Sequence, residues 1–116
     1  MGKNLMDVHS RRTEGALVID VKGQVDLFSS PKLRSAILEA FNTTQGTRIA
    51  INLGEVTYMD SSGVASLVEG LQMARTKKRG LVLFGLHKGA KEVLELARLD
   101  KIFIIRATEL EALADS

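Results

Sequence analysis

The sequence predicts an α/β fold built on a mainly parallel, mixed β-sheet. From residue 29 onward, short β-rich runs alternate with amphipathic helical stretches, the pattern of parallel strands joined by helical crossovers. Before the first helix stand two β-rich runs with only a short polar link, which predicts an N-terminal antiparallel hairpin. The 116 residues are 45% hydrophobic and 26% charged, so they suit one domain over 1–116; aromatics are only 4%, so its core must be aliphatic.

Leu5 to Arg11 alternates loosely and suits an edge strand, and Glu14-Gly15 is a turn signal. Leu17-Val18-Ile19-Asp20-Val21 is strongly β-forming and continues to Lys22-Gly23. Ser29-Ser30-Pro31 marks a helix start, with Ser30 as N-cap and Pro31 at the first helical position. Leu33, Ile37 and Phe41, with Ala36 and Ala40 beside them, form its buried stripe. This helix dissolves in Asn42-Thr43-Thr44-Gln45-Gly46.

Ile49 to Leu53 is a short apolar strand, expected to be buried on both faces. Gly54 to Tyr58 reads as a link. A second helix then begins at Ser61 or Ser62, with Val64, Leu67, Val68, Leu71 and Ala74 on its inner stripe. Leu81 to Phe84 is the next strand. Lys88 to Arg98 forms a third helix with Val93, Leu94 and Ala97 inward. Ile102 to Ile105 is the last strand. Thr108 opens a short terminal helix carrying Leu110 and Leu113, and Glu111 completes a capping box. The order is β-β-α-β-α-β-α-β-α, with about four helices.

Composition excludes several function classes. No cysteine is present, so disulfides and thiolate metal sites are ruled out and a reducing cytoplasm is compatible. The opening MGKNLMDVHS lacks a signal-peptide core, and Met6 stands where a myristoylation signal needs Ser or Thr. No apolar run approaches the ~20 residues of a membrane span. The expectation is a soluble, cytoplasmic protein. The net charge of +2 does not imply nucleic acid. The densest cationic run, Arg75-Thr76-Lys77-Lys78-Arg79, reads as a solvated helix end with Gly80 as the stop.

The richest stretch is Tyr58-Met59-Asp60-Ser61-Ser62-Gly63-Val64. It sits where a strand hands over to a helix. Asp60 or Ser61 can serve as a cap for the unpaired amides of the first turn. The same positive pole tolerates a phosphoserine, which carries about −1.5 to −2 charges, so one serine can also be a modification target. The two roles are compatible. Gly63 leaves the turn uncluttered, so a second protein can approach. In open α/β sheets, sites lie beyond the carboxyl ends of the strands. Gly23-Gln24-Val25-Asp26 also falls there, with Asp26 either a turn acceptor or a rim contact and Thr57 equally ambiguous. Leu27-Phe28 follows at once. Phe28 is expected to pack under the first helix, the alternative being an anchor for a partner.

No catalytic set emerges. A nucleophilic serine needs a base and an orienter, yet the histidines are His9 in the first strand and His87 after the fourth. The Gly-x-Ser-x-Gly elbow is absent. Two distant histidines give no metal-ligand spacing. Gly85-Leu86-His87-Lys88-Gly89 lies between strand and helix but fits neither the P-loop nor the dinucleotide pattern. The expectation is a protein that is not an enzyme and needs no cofactor or metal.

Gly23-Gln24-Val25-Asp26, Ile51-Asn52-Leu53 and Val56-Thr57-Tyr58-Met59-Asp60-Ser61-Ser62-Gly63 together resemble the STAS domain family (sulfate transporter and anti-sigma factor antagonist). The likeness is greatest to its stand-alone bacterial anti-sigma factor antagonists and covers nearly the whole chain. The resemblance implies a STAS-type fold and a partner-switching role. The unmodified antagonist would bind an anti-sigma factor that is also a serine kinase, freeing a sigma factor for RNA polymerase. Phosphorylation would eject it, and a metal-dependent serine phosphatase would reset it. By motif position, Ser61 is the phosphoacceptor, Asp60, Ser62 and Gly63 form the contact loop, and Gly23 and Asp26 lie beside it. The family sheet also places the two loops side by side. The mild basicity departs from the many acidic members of this group and bears on which partner is bound. The same domain also occurs in transporter ATPase complexes and stress-signalling scaffolds, the alternative role. A small-molecule binder on the same sheet is a third.

Overall fold

The computed structural model describes residues 6–13, 15–45 and 47–114. The elements are β1 (Met6–Thr13), β2 (Ala16–Val25), α1 (Ser30–Thr43), β3 (Arg48–Met59), α2 (Ser61–Thr76), β4 (Leu81–Phe84), α3 (Lys88–Leu96), β5 (Ile104–Arg106) and α4 (Glu109–Ala114). This is the element order that the hydrophobic pattern predicts. Leu5, Glu14 and Gly46, which enter those expectations, lie outside the described residues.

The five-stranded sheet runs β1-β2-β3-β4-β5. β1 pairs antiparallel with β2, from Met6 opposite Gly23 to Thr13 opposite Ala16. The other neighbours are parallel. Successive right-handed crossovers that always step the same way place their helices on one face. Accordingly, Leu33 and Ile37 of α1, Val64 and Leu67 of α2 and Leu94 of α3 share one core with Leu17, Ile19, Ile49, Ile51 and Leu83. The other face carries only a small cluster, Val18, Ala50, Val82 and Phe84, covered by Ala112 of α4.

Beside that cluster the second face carries a polar network. Arg11 forks onto Asp20, with Nε donating at 2.6 Å and Nη2 at 3.1 Å. It also reaches Glu109 of α4, with Nη1 to Oε2 at 3.0 Å. Asn52 donates to Asp20 at 2.9 Å, which extends the network to β3. Hydrogen bonding from Arg11 holds both the Asp20 and Glu109 carboxyls below the usual carboxylate range. So α4, which buries little, is fixed largely by charge-assisted hydrogen bonds.

Several boundaries differ from the sequence reading. β3 does not end at Leu53 but continues to Met59. Its pairing with β2 shifts register between Asp20 and Lys22 and again between Gly23 and Gln24. Each shift places an extra β3 residue against β2, which breaks the alternation that marks a strand. Ser29, not Ser30, is the N-cap of α1, and the helix begins at Ser30. Ala97 is exposed beyond the end of α3, where Ala90 and Leu94 are the buried residues. β5 begins at Ile104, while Phe103 just before it is buried. Leu110 is exposed, and Ala112 is the inward residue of α4. Thr108 does accept the Glu111 N–H at 3.2 Å, and Glu111 reaches back to the Ala107 N–H at 3.1 Å.

The cationic run at the end of α2 is not simply solvated. Lys78, with φ 54°, takes the left-handed position that stops the helix, and the Arg79 N–H returns to the Ala74 carbonyl at 2.8 Å. The stop is therefore Lys78 and not Gly80. Arg79 is half-buried: it donates to the carbonyls of Phe41 and Thr44 at 2.9 Å and of Thr47 at 2.6 Å. Its guanidinium also lies 5.0 Å from the Phe41 ring centre. It closes the loop after α1 instead of offering a free cation.

Candidate functional site

Val25 and Met59 are register partners at the carboxyl ends of β2 and β3. The chain leaves both strands there, so the loops at Asp26 and Asp60 emerge side by side. The Asp60 N–H donates to the Val25 carbonyl at 3.1 Å, which ties one loop to the other. Strand order, which periodicity cannot supply, is what brings them together.

Asp60 is the N-cap of α2, in extended conformation. Its Oδ1 accepts the Ser62 N–H at 2.9 Å and the Gly63 N–H at 3.4 Å. The Val64 N–H then bonds to the Asp60 carbonyl at 3.1 Å and starts the helix. Asp60 thus takes the capping role left open between it and Ser61. Ser61 is relieved of it. Its side chain is exposed and its hydroxyl makes no hydrogen bond among the described residues. Ser62 is half-buried, and its carbonyl accepts the Ser66 hydroxyl at 3.3 Å. The two serines of the motif, both in the first turn of α2, are therefore unequal: Ser61 is exposed and Ser62 is half-buried.

Gly63 does not open the turn to a partner. It is buried, and a Cβ there would stand 2.7 Å from Val25 Cγ1 and 2.8 Å from Met59 Cγ. The missing side chain lets α2 seat on the ends of β2 and β3. Gly23 likewise serves the backbone. Its φ of 101° lies in a region that favours glycine, at the register shift before the β2 end.

Asp26 serves its own loop. Its Oδ1 accepts the Phe28 and Ser29 N–H groups, both at 3.0 Å. The Ser29 hydroxyl accepts the Asp26 N–H at 2.9 Å and lies 2.8 Å from the Gln24 carbonyl, to which it donates. The Ser30 N–H closes the turn on the Asp26 carbonyl at 2.8 Å. Donation from the Ser29 backbone N–H, with help from the Phe28 N–H, holds the Asp26 carboxyl below the usual range. The result is a locked four-residue clasp. Sequence reading missed Ser29 as part of it, although Asp and Ser three residues apart at a helix start is the signal for such reciprocal bonding.

Phe28 does not pack under α1. It is 91% exposed, and Leu27 and Tyr58 are also exposed, at 68% and 52%. The helix stripe is already filled by Leu33, Ile37 and Phe41, and the clasp turns residues 27 and 28 outward. Thr57 is exposed on β3.

Neither histidine reaches the serine. His9 is exposed on β1, and His87 is the N-cap residue before α3, with its Nε2 against the Gly54 carbonyl. Among the described residues, no group of three His, Cys, Asp or Glu side chains is placed to hold a metal ion. No described helix is long and apolar enough to cross a membrane.

The family described as the STAS domain matches residues 7–112. The chain belongs to the STAS domain family. A Listeria monocytogenes protein named anti-sigma-B factor antagonist is 36% identical over 93 residues, 80% of this chain and 81% of that one. A crystal structure of an anti-sigma factor antagonist from Mycobacterium paratuberculosis superimposes with a TM-score of 0.84 at 22% identity, covering 95% of each chain. The Bacillus cell fate determinant SpoIIAA, solved in its phosphorylated form, gives 0.71 at 23% identity over 93% of this chain and 97% of that one. These two structures share the fold: a STAS sheet with its N-terminal hairpin and helices.

Proposed function

We propose that this STAS protein is an anti-sigma factor antagonist that acts as a phospho-regulated partner switch in the bacterial cytoplasm. In its unmodified form the rim around Ser61 binds an anti-sigma factor that is also a serine kinase, and a sigma factor is released. Phosphorylation of Ser61 ends that binding, and a serine phosphatase restores it. The protein itself catalyses nothing.

One observation carries the reading: Ser61 is the exposed, unbonded hydroxyl on a helix entrance whose capping is done entirely by its neighbour Asp60. With the cap supplied by Asp60, modification of Ser61 leaves the start of α2 intact. Here the fold does not depend on the hydroxyl. The names of the relatives support the partner class, and SpoIIAA, a protein of the same fold, exists in a phosphorylated form. The physical consequence is local. A phosphate would add about −1.5 to −2 charges beside the Asp60 carboxylate, which already occupies the first-turn amides. An interface formed around a neutral hydroxyl would be opposed by that charge, and each 1.4 kcal/mol weakens binding about tenfold.

The test is to incubate the protein with a kinase-type anti-sigma factor and ATP and map the modification by mass spectrometry. Label on Ser61, absent from Ser61→Ala, is expected. Undiminished label in Ser61→Ala would overturn the assignment.

A further inference from the structure

We propose that Phe28 is the apolar anchor of the partner interface and that Asp26 acts as a positioning residue that displays it. This rests on the reading above, which gives the switch at Ser61 but does not say where the binding energy comes from. The occupant is the anti-sigma factor, and the chemistry it must offer is an apolar socket beside the surface that reads Ser61.

The chain has four phenylalanines. Phe41, Phe84 and Phe103 are buried, whereas Phe28 is 91% exposed. Exposing a phenyl ring forfeits burial that every other phenylalanine in the chain obtains. Leu27, next to it in the same loop, is exposed as well. Phe28 and Leu27 are exposed apolar side chains on the loop tied to the one that carries Asp60 and Ser61, the ingredients of an interface core beside a polar rim.

Continuity with the switch is direct. Phe28 lies three residues beyond Val25, and the Val25 carbonyl holds the Asp60 N–H at 3.1 Å, immediately before Ser61. A partner that covers Ser61 meets this loop.

The display is also rigid. Asp26 Oδ1 takes the Phe28 N–H and the Ser29 N–H, and the Ser29 hydroxyl ties the same turn to Gln24. An anchor held in place loses less freedom on binding than one on a mobile loop, and aromatic side chains dominate binding hot spots. With its Oδ1 engaged by the loop, Asp26 influences binding through where it puts Phe28.

The experiment is a set of calorimetric titrations of purified kinase-type anti-sigma factor, using the anti-sigma-B factor of Listeria monocytogenes and the counterpart from the source organism. Wild type, Phe28→Ala, Asp26→Ala, the double variant and Ser61→Asp are compared, each with its melting curve. Phe28→Ala should bind at least about tenfold more weakly with an unchanged melting temperature, and Phe28→Leu should recover most of the loss. Asp26→Ala should weaken binding, and the double variant should be no weaker than Phe28→Ala alone. Wild-type affinity in Phe28→Ala, with Ser61→Asp still ejected, would overturn the anchor and leave the switch standing. Additive losses would overturn the positioning role of Asp26. Failure of the wild type to bind either factor would overturn the switch reading and the anchor with it.

Discussion

The backbone N–H of Asp60 donates to the carbonyl of Val25 at 3.1 Å, so the loop that carries Ser61 is fastened to the loop that carries Asp26 and Phe28. One parallel strand pair thereby builds the whole candidate surface. The serine needs no catalytic neighbours in this arrangement. It has only to be reachable, and Asp60 makes it so by taking over the cap.

Asp60→Ala should therefore affect both stability and presentation. Loss of a capping carboxylate costs about 1 kcal/mol, which corresponds to about 4 °C in a domain of this size. Asp60→Asn or Asp60→Ser should lose less, because both side chains still accept from the first-turn amides. Thermal melts of the three variants check this ordering.

Gly63→Ala should be more damaging than an ordinary helix substitution, which would gain propensity. Its new methyl would press on Val25 Cγ1 at 2.7 Å and Met59 Cγ at 2.8 Å. Overpacking of this kind costs about 1–3 kcal/mol. A urea midpoint below that of wild type is expected. A midpoint at or above wild type would show that α2 can lift off the strand ends without penalty.

The Arg11 network sets a pH dependence with a defined sign. Asp20 and Glu109 have carboxyl pKa values lowered by Arg11 in the fold. Their stabilisation is complete above their unfolded values, near about 4, and is lost as pH falls through the lower folded values. Arg11→Gln removes that contribution. Its urea midpoint should fall below that of wild type at pH 7, and the gap should narrow by pH 3. A gap that stays constant with pH would contradict the ion-pair origin.

Much of this fold is legible in the sequence because its elements are strongly patterned. Ile49-Ala50-Ile51 and Leu81-Val82-Leu83-Phe84 are apolar on both faces and form the central strands that they predict. The departures have a common physical source. Residues 54–59 bulge against β2, so alternation fails although the backbone still pairs. Ala97 and Leu110 fit a helical stripe by spacing, yet α3 stops before Ala97 and α4 turns Ala112 inward. Phe28 reads as core because aromatic rings usually are. The clasp that expels it depends on hydrogen bonds of Asp26 and Ser29, which hydrophobic patterning does not register. At the site itself, the motif alone does not decide between Asp60 and Ser61 as cap. The geometry assigns the cap to Asp60.

The measurement that tests the central claim most directly is the affinity of unmodified and Ser61-phosphorylated protein for the same kinase-type anti-sigma factor, by calorimetry, with both melting temperatures recorded. Phosphorylation should weaken binding by about a hundredfold or more, equivalent to about 2.8 kcal/mol. The melting temperature should move by no more than about 2 °C, because Asp60 keeps the cap. Equal affinity of the two forms would contradict the account.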